Sequence, residues 1–147
     1  MGQRKHNSAE ARKEAKKTVY MAKLMNNPTS PRKTRLVADM IRGLDVDKAL
    51  GVLQYCPRES APKMRKLLLS AIANWQNKNE GQRIEDNKLY VKTIMVDGGR
   101  SMKRLRTAPQ GRGYRIRKRS NHITMVLGNR TEEKAQNKEE ATQEAAE

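Results

Sequence analysis

From Arg100 to Arg119 the chain carries nine basic residues and no aspartate or glutamate: Arg100, Lys103, Arg104, Arg106, Arg112, Arg115, Arg117, Lys118 and Arg119. Met102, Leu105 and Ile116 are the chief apolar exceptions. With no opposing apolar face, this stretch is neither the solvated side of an ordinary domain nor able to fold around a core of its own. The segment Asp97 to Asn121 is also too long for a usual hairpin loop. It is flanked by two β-like segments, Leu89 to Val96 and His122 to Leu127, which pair as the base of a hairpin. The intervening residues are then the arms of that hairpin, projecting beyond the core by about a dozen residues each, or about 40 Å at about 3.3 Å per residue. Gly111 and Gly113 remove bulk near the expected tip. Arg115, Arg117 and Arg119 alternate, so an extended strand presents all three on one side. Arginine's planar fork suits phosphate and stacks on bases. Such an arm repels itself in water, whereas threaded between nucleic-acid strands both of its faces meet phosphate.

The rest of the composition agrees. The 147 residues hold 32 Lys+Arg against 16 Asp+Glu, a net charge of +16, with 35% hydrophobic residues, 3% aromatic and no Phe. Such a charge destabilises a compact chain unless a polyanion screens it. The apolar residues concentrate between Leu36 and Val96 and again from Ile123 to Leu127, predicting one small core with extensions that a partner orders. Three regions follow. Residues 1–18 form a basic, mixed-charge extension with Arg4, Lys5, Arg12, Lys13, Lys16 and Lys17, in which Ala9 to Lys17 can be helical without an apolar face to dock it. Residues 19–129 form the domain, with the hairpin at about 89–127. Residues 130–147 form a low-complexity tail, expected to be disordered. From residue 132 on, six glutamates and two lysines contribute −4, leaving +20 on residues 1–131.

Within the domain, Val19 to Leu24 reads as a strand with Tyr20, Ala22 and Leu24 on one side, and Asn26-Asn27-Pro28 as a turn. Ser30-Pro31 starts a first helix, with serine as cap and proline where its missing donor costs nothing. Its apolar stripe is Leu36, Val37, Met40 and Ile41, and Gly43 stops it. Asp45 caps a second short helix bearing Val46, Leu50 and Leu53, ended by Pro57. A third helix runs from about Ser60 to about Asn79, closed by Gly81, and its stripe of Met64, Leu68, Ala71, Ile72 and Trp75 is core packing, with Trp75 as an anchor.

Catalysis finds little support. His6 and His122 lie far apart, and Cys56 has no nearby partner in the sequence. His122 stands at a strand base, where hydrogen bonding explains it, and Asp45 and Asp47 flank a helix start, where capping does. No glycine-rich phosphate cradle is present. The reading is therefore of no enzyme, no cofactor, no metal site and no small-molecule substrate. A single cysteine permits no intramolecular disulfide and fits a reducing cytosol. The basic N-terminus lacks the apolar run of a signal peptide, and no segment approaches a membrane span.

RNA is preferred to DNA. There is no zinc-ligand spacing and no basic zipper, and a helix-turn-helix across residues 31–54 would have a second helix poor in base-reading side chains. A thin, two-sided basic finger suits the irregular channels of a folded RNA. A free-standing RNA chaperone or regulator is the alternative.

Several blocks then resemble one family. Ser30-Pro31-Arg32-Lys33-Thr34-Arg35-Leu36-Val37-Ala38-Asp39-Met40-Ile41-Arg42-Gly43 is similar to the opening of bacterial large-subunit ribosomal protein twenty-two, and Leu69-Ser70-Ala71-Ile72-Ala73-Asn74 to the centre of its third helix. Leu89-Tyr90-Val91-Lys92 and Val96-Asp97 resemble its first hairpin arm. Ser101-Met102-Lys103-Arg104 and Gly111-Arg112 resemble its loop region, and Arg115-Ile116-Arg117-Lys118-Arg119-Ser120-Asn121-His122-Ile123-Thr124 its return arm. The likeness covers roughly residues 20–128 in order. The extension before Val19 and the tail after Asn129 have no counterpart in short members of the family.

The resemblance implies an α+β fold: three helices packed on a three-stranded antiparallel sheet, with a long protruding hairpin. It implies a cytoplasmic constituent of the large ribosomal subunit, sited near the exit of the nascent-peptide tunnel, that binds large-subunit ribosomal RNA and supports its assembly. Neighbouring ribosomal proteins and the nascent peptide are the further partners. RNA contact is expected at Arg32, Lys33 and Arg35 and at the nine hairpin cations. The tunnel wall is expected to include Met102, Lys103, Arg104, Arg106, Gly111 and Arg112, of which the first three fall where members influence macrolide sensitivity.

Overall fold

The computed structural model describes residues 3–79 and 87–130. A first helix, α1 (Gln3–Lys17), leads into strand β1 (Tyr20–Asn27), which is followed by α2 (Pro31–Ile41), α3 (Val46–Tyr55) and α4 (Ser60–Lys78). Two long strands complete the chain, β2 (Leu89–Thr107) and β3 (Gly113–Asn129), joined through a single 3-10 turn at Pro109–Gly111. The sheet order is β1-β3-β2, with both pairings antiparallel. This is the expected α+β architecture with one helix more, because Gln3–Lys17 of the basic extension form α1. That helix buries no residue. It is held at its C-terminal end, where the Lys78 ammonium donates to the carbonyls of Lys16, Lys17 and Val19 at 3.3, 3.1 and 2.9 Å. A cation there also meets the negative end of the helix dipole. The acidic tail from residue 131 and the stop at Gly81 lie outside the described residues.

The core lies between α2–α4 and one face of the sheet. From α4 it takes Met64, Leu68, Ala71, Ile72 and Trp75, as the periodicity predicts, together with Ala61 and Leu67. Strand alternation supplies Ile94 and Val96 from β2, and Ile123, Met125 and Leu127 from β3. Tyr20 packs against this core and meets Trp75 edge-on at 6.3 Å between centroids.

Two expectations about helices need correction. The buried stripe of α2 is Thr34, Val37, Ala38 and Ile41, whereas Leu36 and Met40 face outward, 52% and 44% exposed. The i, i+3, i+4, i+7 spacing is kept, but it runs through a threonine and an alanine, because the small Ala38 lets the helix approach its neighbours and Thr34 has polar partners there. Capping also differs. Ser30 and Asp45 occupy the N-cap positions of α2 and α3, yet neither side chain makes a capping hydrogen bond. The Asp45 carboxylate instead pairs with Lys48 and Arg130, each at 3.3 Å. Pro31 does stand in the first turn of α2, and Gly43 follows its end at φ +76°, a conformation glycine adopts without steric cost.

The hairpin leaves the core at an irregularity. Gly98 pairs with Asn121 and Ser101 with Arg119, so β2 carries one extra residue there. Such a bulge bends and twists a strand where pairing would otherwise run straight. Gly99 belongs at this point for a steric reason. A Cβ on it would lie 2.8 Å from Ser120 Oγ and 3.2 Å from the Asn121 backbone nitrogen. The Ser120 hydroxyl crosses the bulge to donate to the Arg100 carbonyl.

Candidate nucleic-acid interface

Past the bulge the two arms remain paired from Ser101–Arg119 to Thr107–Gly113. At about 3.3 Å per residue the free part reaches roughly 30 Å. It is shorter than the expected 40 Å because Ala108 to Arg112 are spent on the tip and the bulge takes one residue of β2. The tip closes through Ala108 N–H donating to the Arg112 carbonyl at 2.9 Å. It places both Gln110 (φ 61°) and Gly111 (φ 68°) in the left-handed region, so only one of the two is free of strain.

Residues directly opposite on paired strands share a face. One face therefore carries Lys103, Arg115, Arg117 and Arg119, with Leu105, and is continuous with the core-facing side of β3. The other carries Arg104, Arg106 and Lys118 beside Met102, Tyr114 and Ile116. Arg100 lies in the bulge and Arg112 at the tip. All nine cations are exposed, and among the described residues no ion pair involves any of them. Lys103 and Arg117 stand opposite each other, a like-charge pairing that costs stability in the free protein. Leu105, Tyr114 and Met102 are 78%, 64% and 52% exposed. The finger thus presents cations on both sides with apolar side chains set among them, a surface suited to phosphates and to unstacked bases together.

The arrangement separates the residues expected at the tunnel wall. Arg106, Gly111 and Arg112 sit at or beside the tip, whereas Met102, Lys103 and Arg104 pair with Lys118, Arg117 and Ile116 part-way along the arms. Arg32, Lys33 and Arg35 lie on the first turns of α2, all exposed. Arg35 has a structural duty as well, since its Nε and Nη2 donate to the Val96 carbonyl at 3.2 and 3.0 Å and tie α2 to the hairpin root.

That root is organised by a buried polar network absent from the sequence reading. Asn121 is wholly buried. Its Nδ2 faces the Thr29 carbonyl, Thr29 Oγ1 and Thr34 Oγ1 at 2.8, 2.9 and 2.9 Å, and its Oδ1 accepts from Asn27 Nδ2 at 3.1 Å. Thr34 Oγ1 lies 3.2 Å from Ser60 Oγ. Five elements or loops therefore meet at one point: the end of β1, the β1–α2 loop, α2, the start of α4, and β3. Just beyond it the backbone N–H of Asn26 donates to His122 Nδ1 at 3.0 Å, so His122 has a hydrogen-bonding role, as expected. Arg58, between α3 and α4, is a further cation beside the root that the sequence reading passed over. Its neighbour Glu59 makes the local charge look balanced, and its proximity to the hairpin is a long-range contact.

Comparison with known proteins agrees with this geometry. Residues 22–128 match the family model of ribosomal protein L22p/L17e. A large ribosomal subunit protein uL22 from Bacteroides fragilis is 61% identical over 137 residues, covering 93% of this chain and all of the relative. Those from Porphyromonas gingivalis and Christiangramia forsetii are 64% and 60% identical, covering 86% and 87% of this chain and 94% and 95% of the relatives. The Bacteroides alignment is longer than the 22–128 block, so it runs into the segments on either side of it. Family match and relatives together show that this chain belongs to the ribosomal protein L22p/L17e family.

Proposed function

We propose that this chain is a structural constituent of the large ribosomal subunit that binds large-subunit ribosomal RNA and lines the nascent-peptide exit tunnel with the end of its hairpin. The observation that carries the reading is the hairpin itself: an acid-free finger reaching roughly 30 Å past the core, with unpaired cations on both faces. A solvated surface does not need charge on two sides of a structure two strands wide, whereas an element threaded through RNA does. Neighbouring ribosomal proteins and the nascent peptide are the other partners, the setting is the cytoplasmic ribosome, and the role is architectural rather than enzymatic.

In this reading residues 19–129 are the ribosomal domain, 1–18 a basic extension and 130–147 an acidic tail. RNA is met by Arg32, Lys33 and Arg35 on α2, and by Arg100, Lys103, Arg104, Arg106, Arg112, Arg115, Arg117, Lys118 and Arg119 on the hairpin. Arg35 contributes only the part of its guanidinium not committed to Val96. The tunnel wall receives Arg106, Gly111 and Arg112 from the tip and Met102, Lys103 and Arg104 from the arm behind it. Electron cryo-microscopy of subunits containing this chain tests the assignment: RNA should flank both faces of the hairpin and Arg112 should reach the tunnel lumen. A hairpin lying on the subunit surface would refute it.

A further inference from the structure

A groove of about 660 Å³ opens where the hairpin root faces the globular domain. Three separate parts of the chain bring cations to it: Lys33 from the first turn of α2, Arg58 from the segment before α4, and Arg117 and Arg119 from β3. Among the described residues the only acid in the lining is Glu59, which is shared with Lys63, 3.4 Å away. The excess of positive charge is therefore large, and it arises by convergence of distant segments rather than from one basic run. In the free protein this convergence costs energy through mutual repulsion, which a polyanion in the groove would relieve.

The groove is also built to keep its shape. Thr29 and Ser60 form part of its wall and are more than nine-tenths buried. Both belong to the polar network that closes on Thr34 and Asn121. The space is too large for a single small anion, and the outward-facing Leu36 adds an apolar patch to its wall, which a ribose or base could cover. α2 and α4 both begin at this rim. The positive ends of their helix dipoles therefore lie there.

We propose that this groove clamps a bend of ribosomal RNA backbone between the globular domain and the hairpin root, with Arg58 gripping it from the globular side and Arg117 and Arg119 from the hairpin side. The inference rests on the reading that the chain binds large-subunit RNA, and it adds a consequence. One RNA segment held by both parts couples the direction of the hairpin to the fold of that segment, so the finger is aimed by the RNA that it enters.

The test uses the full chain and its large-subunit RNA transcribed in vitro, with affinity measured across a salt series. Arg58→Gln should reduce the slope of log affinity against log salt by about 0.7, the share of one phosphate contact to single-stranded RNA, and Arg58→Lys should restore it. Lys48→Gln removes the same charge on α3, outside the groove, and should leave the slope unchanged. An unchanged slope for Arg58→Gln, or an equal loss for Lys48→Gln, overturns the clamp while leaving RNA binding intact. Absence of binding by the unaltered chain overturns the underlying reading instead. In the assembled subunit, a phosphate within hydrogen-bonding distance of Arg58 is expected, and a protein segment filling the groove would refute the proposal.

Discussion

Replacing Asn121 by alanine should be among the most damaging single changes in the domain, even though it removes neither charge nor apolar surface. Its carboxamide is wholly buried, with polar partners at 2.8 to 3.1 Å on the β1–α2 loop, α2 and the end of β1. Truncation leaves the Thr29 carbonyl and the Asn27 amide each short of a partner, in a place where Asn27 Oδ1 already has none among the described residues. A buried polar group left unsatisfied costs about 1–3 kcal/mol. Two of them place the expected loss at about 3 kcal/mol, a large part of the stability of a small domain. The corresponding fall in Tm is about 10–20 °C. Trp75 is the only tryptophan and is buried in the core on α4, so its fluorescence in a urea titration reports global unfolding of the isolated protein. Thr124→Ala, on the other side of the same strand and partly exposed, serves as the control and should cost less than about 1 kcal/mol. If Asn121→Ala also costs under about 1 kcal/mol, the network does not hold the hairpin root, and the rigidity attributed to the groove wall goes with it.

Other perturbations separate the parts of the finger. Gly99→Ala places a methyl group against the Ser120 and Asn121 backbone and should destabilise by about 1–3 kcal/mol, whereas Gly98→Ala, which meets nothing within 4 Å, should be close to neutral in the same titration; equal effects would mean the bulge has no fixed geometry. Substituting Arg115, Arg117 and Arg119 together by Gln should lower the salt slope of RNA binding by about 2, and an unchanged slope would show that this face does not meet phosphate. Deleting Met102, Lys103 and Arg104 removes an odd number of residues and so reverses the in–out alternation of β2 beyond the cut. The tip must re-pair, so assembly should persist while macrolide response changes; a strain with normal subunits and unaltered response would separate this segment from the tunnel.

Periodic and local signals made much of the fold legible. The stripe on α4, the proline in the first turn of α2, Gly43, and the β character of Leu89 to Val96 and His122 to Leu127 each depend on neighbours within a few residues, and all stand where they were read. The hairpin was legible for a different reason, since a stretch with no core-forming residues flanked by two strands has few ways to be ordered. What escaped depends on distant contacts. Leu36 and Met40 looked like core because hydrophobicity alone cannot show that Thr34 finds Asn121 and Ser60 across the fold. Asn27, Thr29 and Asn121 look like turn and strand-end residues, and only the register of β1 on β3 makes them one network. Ser30 and Asp45 were placed correctly at helix starts, but which acceptor a side chain chooses depends on tertiary neighbours such as Arg130. Within the site, the identity of the cations followed from composition, while their division between two faces required the bulge at Gly98–Ser101 to be known. Arg58 entered only through the shape of the groove.

The central claim, that the chain is built into the large subunit rather than acting on RNA from solution, is tested most directly by sedimentation. A lysate from cells expressing the tagged chain at native level is washed in high salt and run on a sucrose gradient. The chain should remain in the large-subunit peak in constant ratio to ribosomal RNA, because a finger enclosed by RNA on both faces cannot leave without unfolding its surroundings. Release to the top of the gradient, with large subunits intact and lacking it, would contradict the account and favour a free-standing RNA-binding protein.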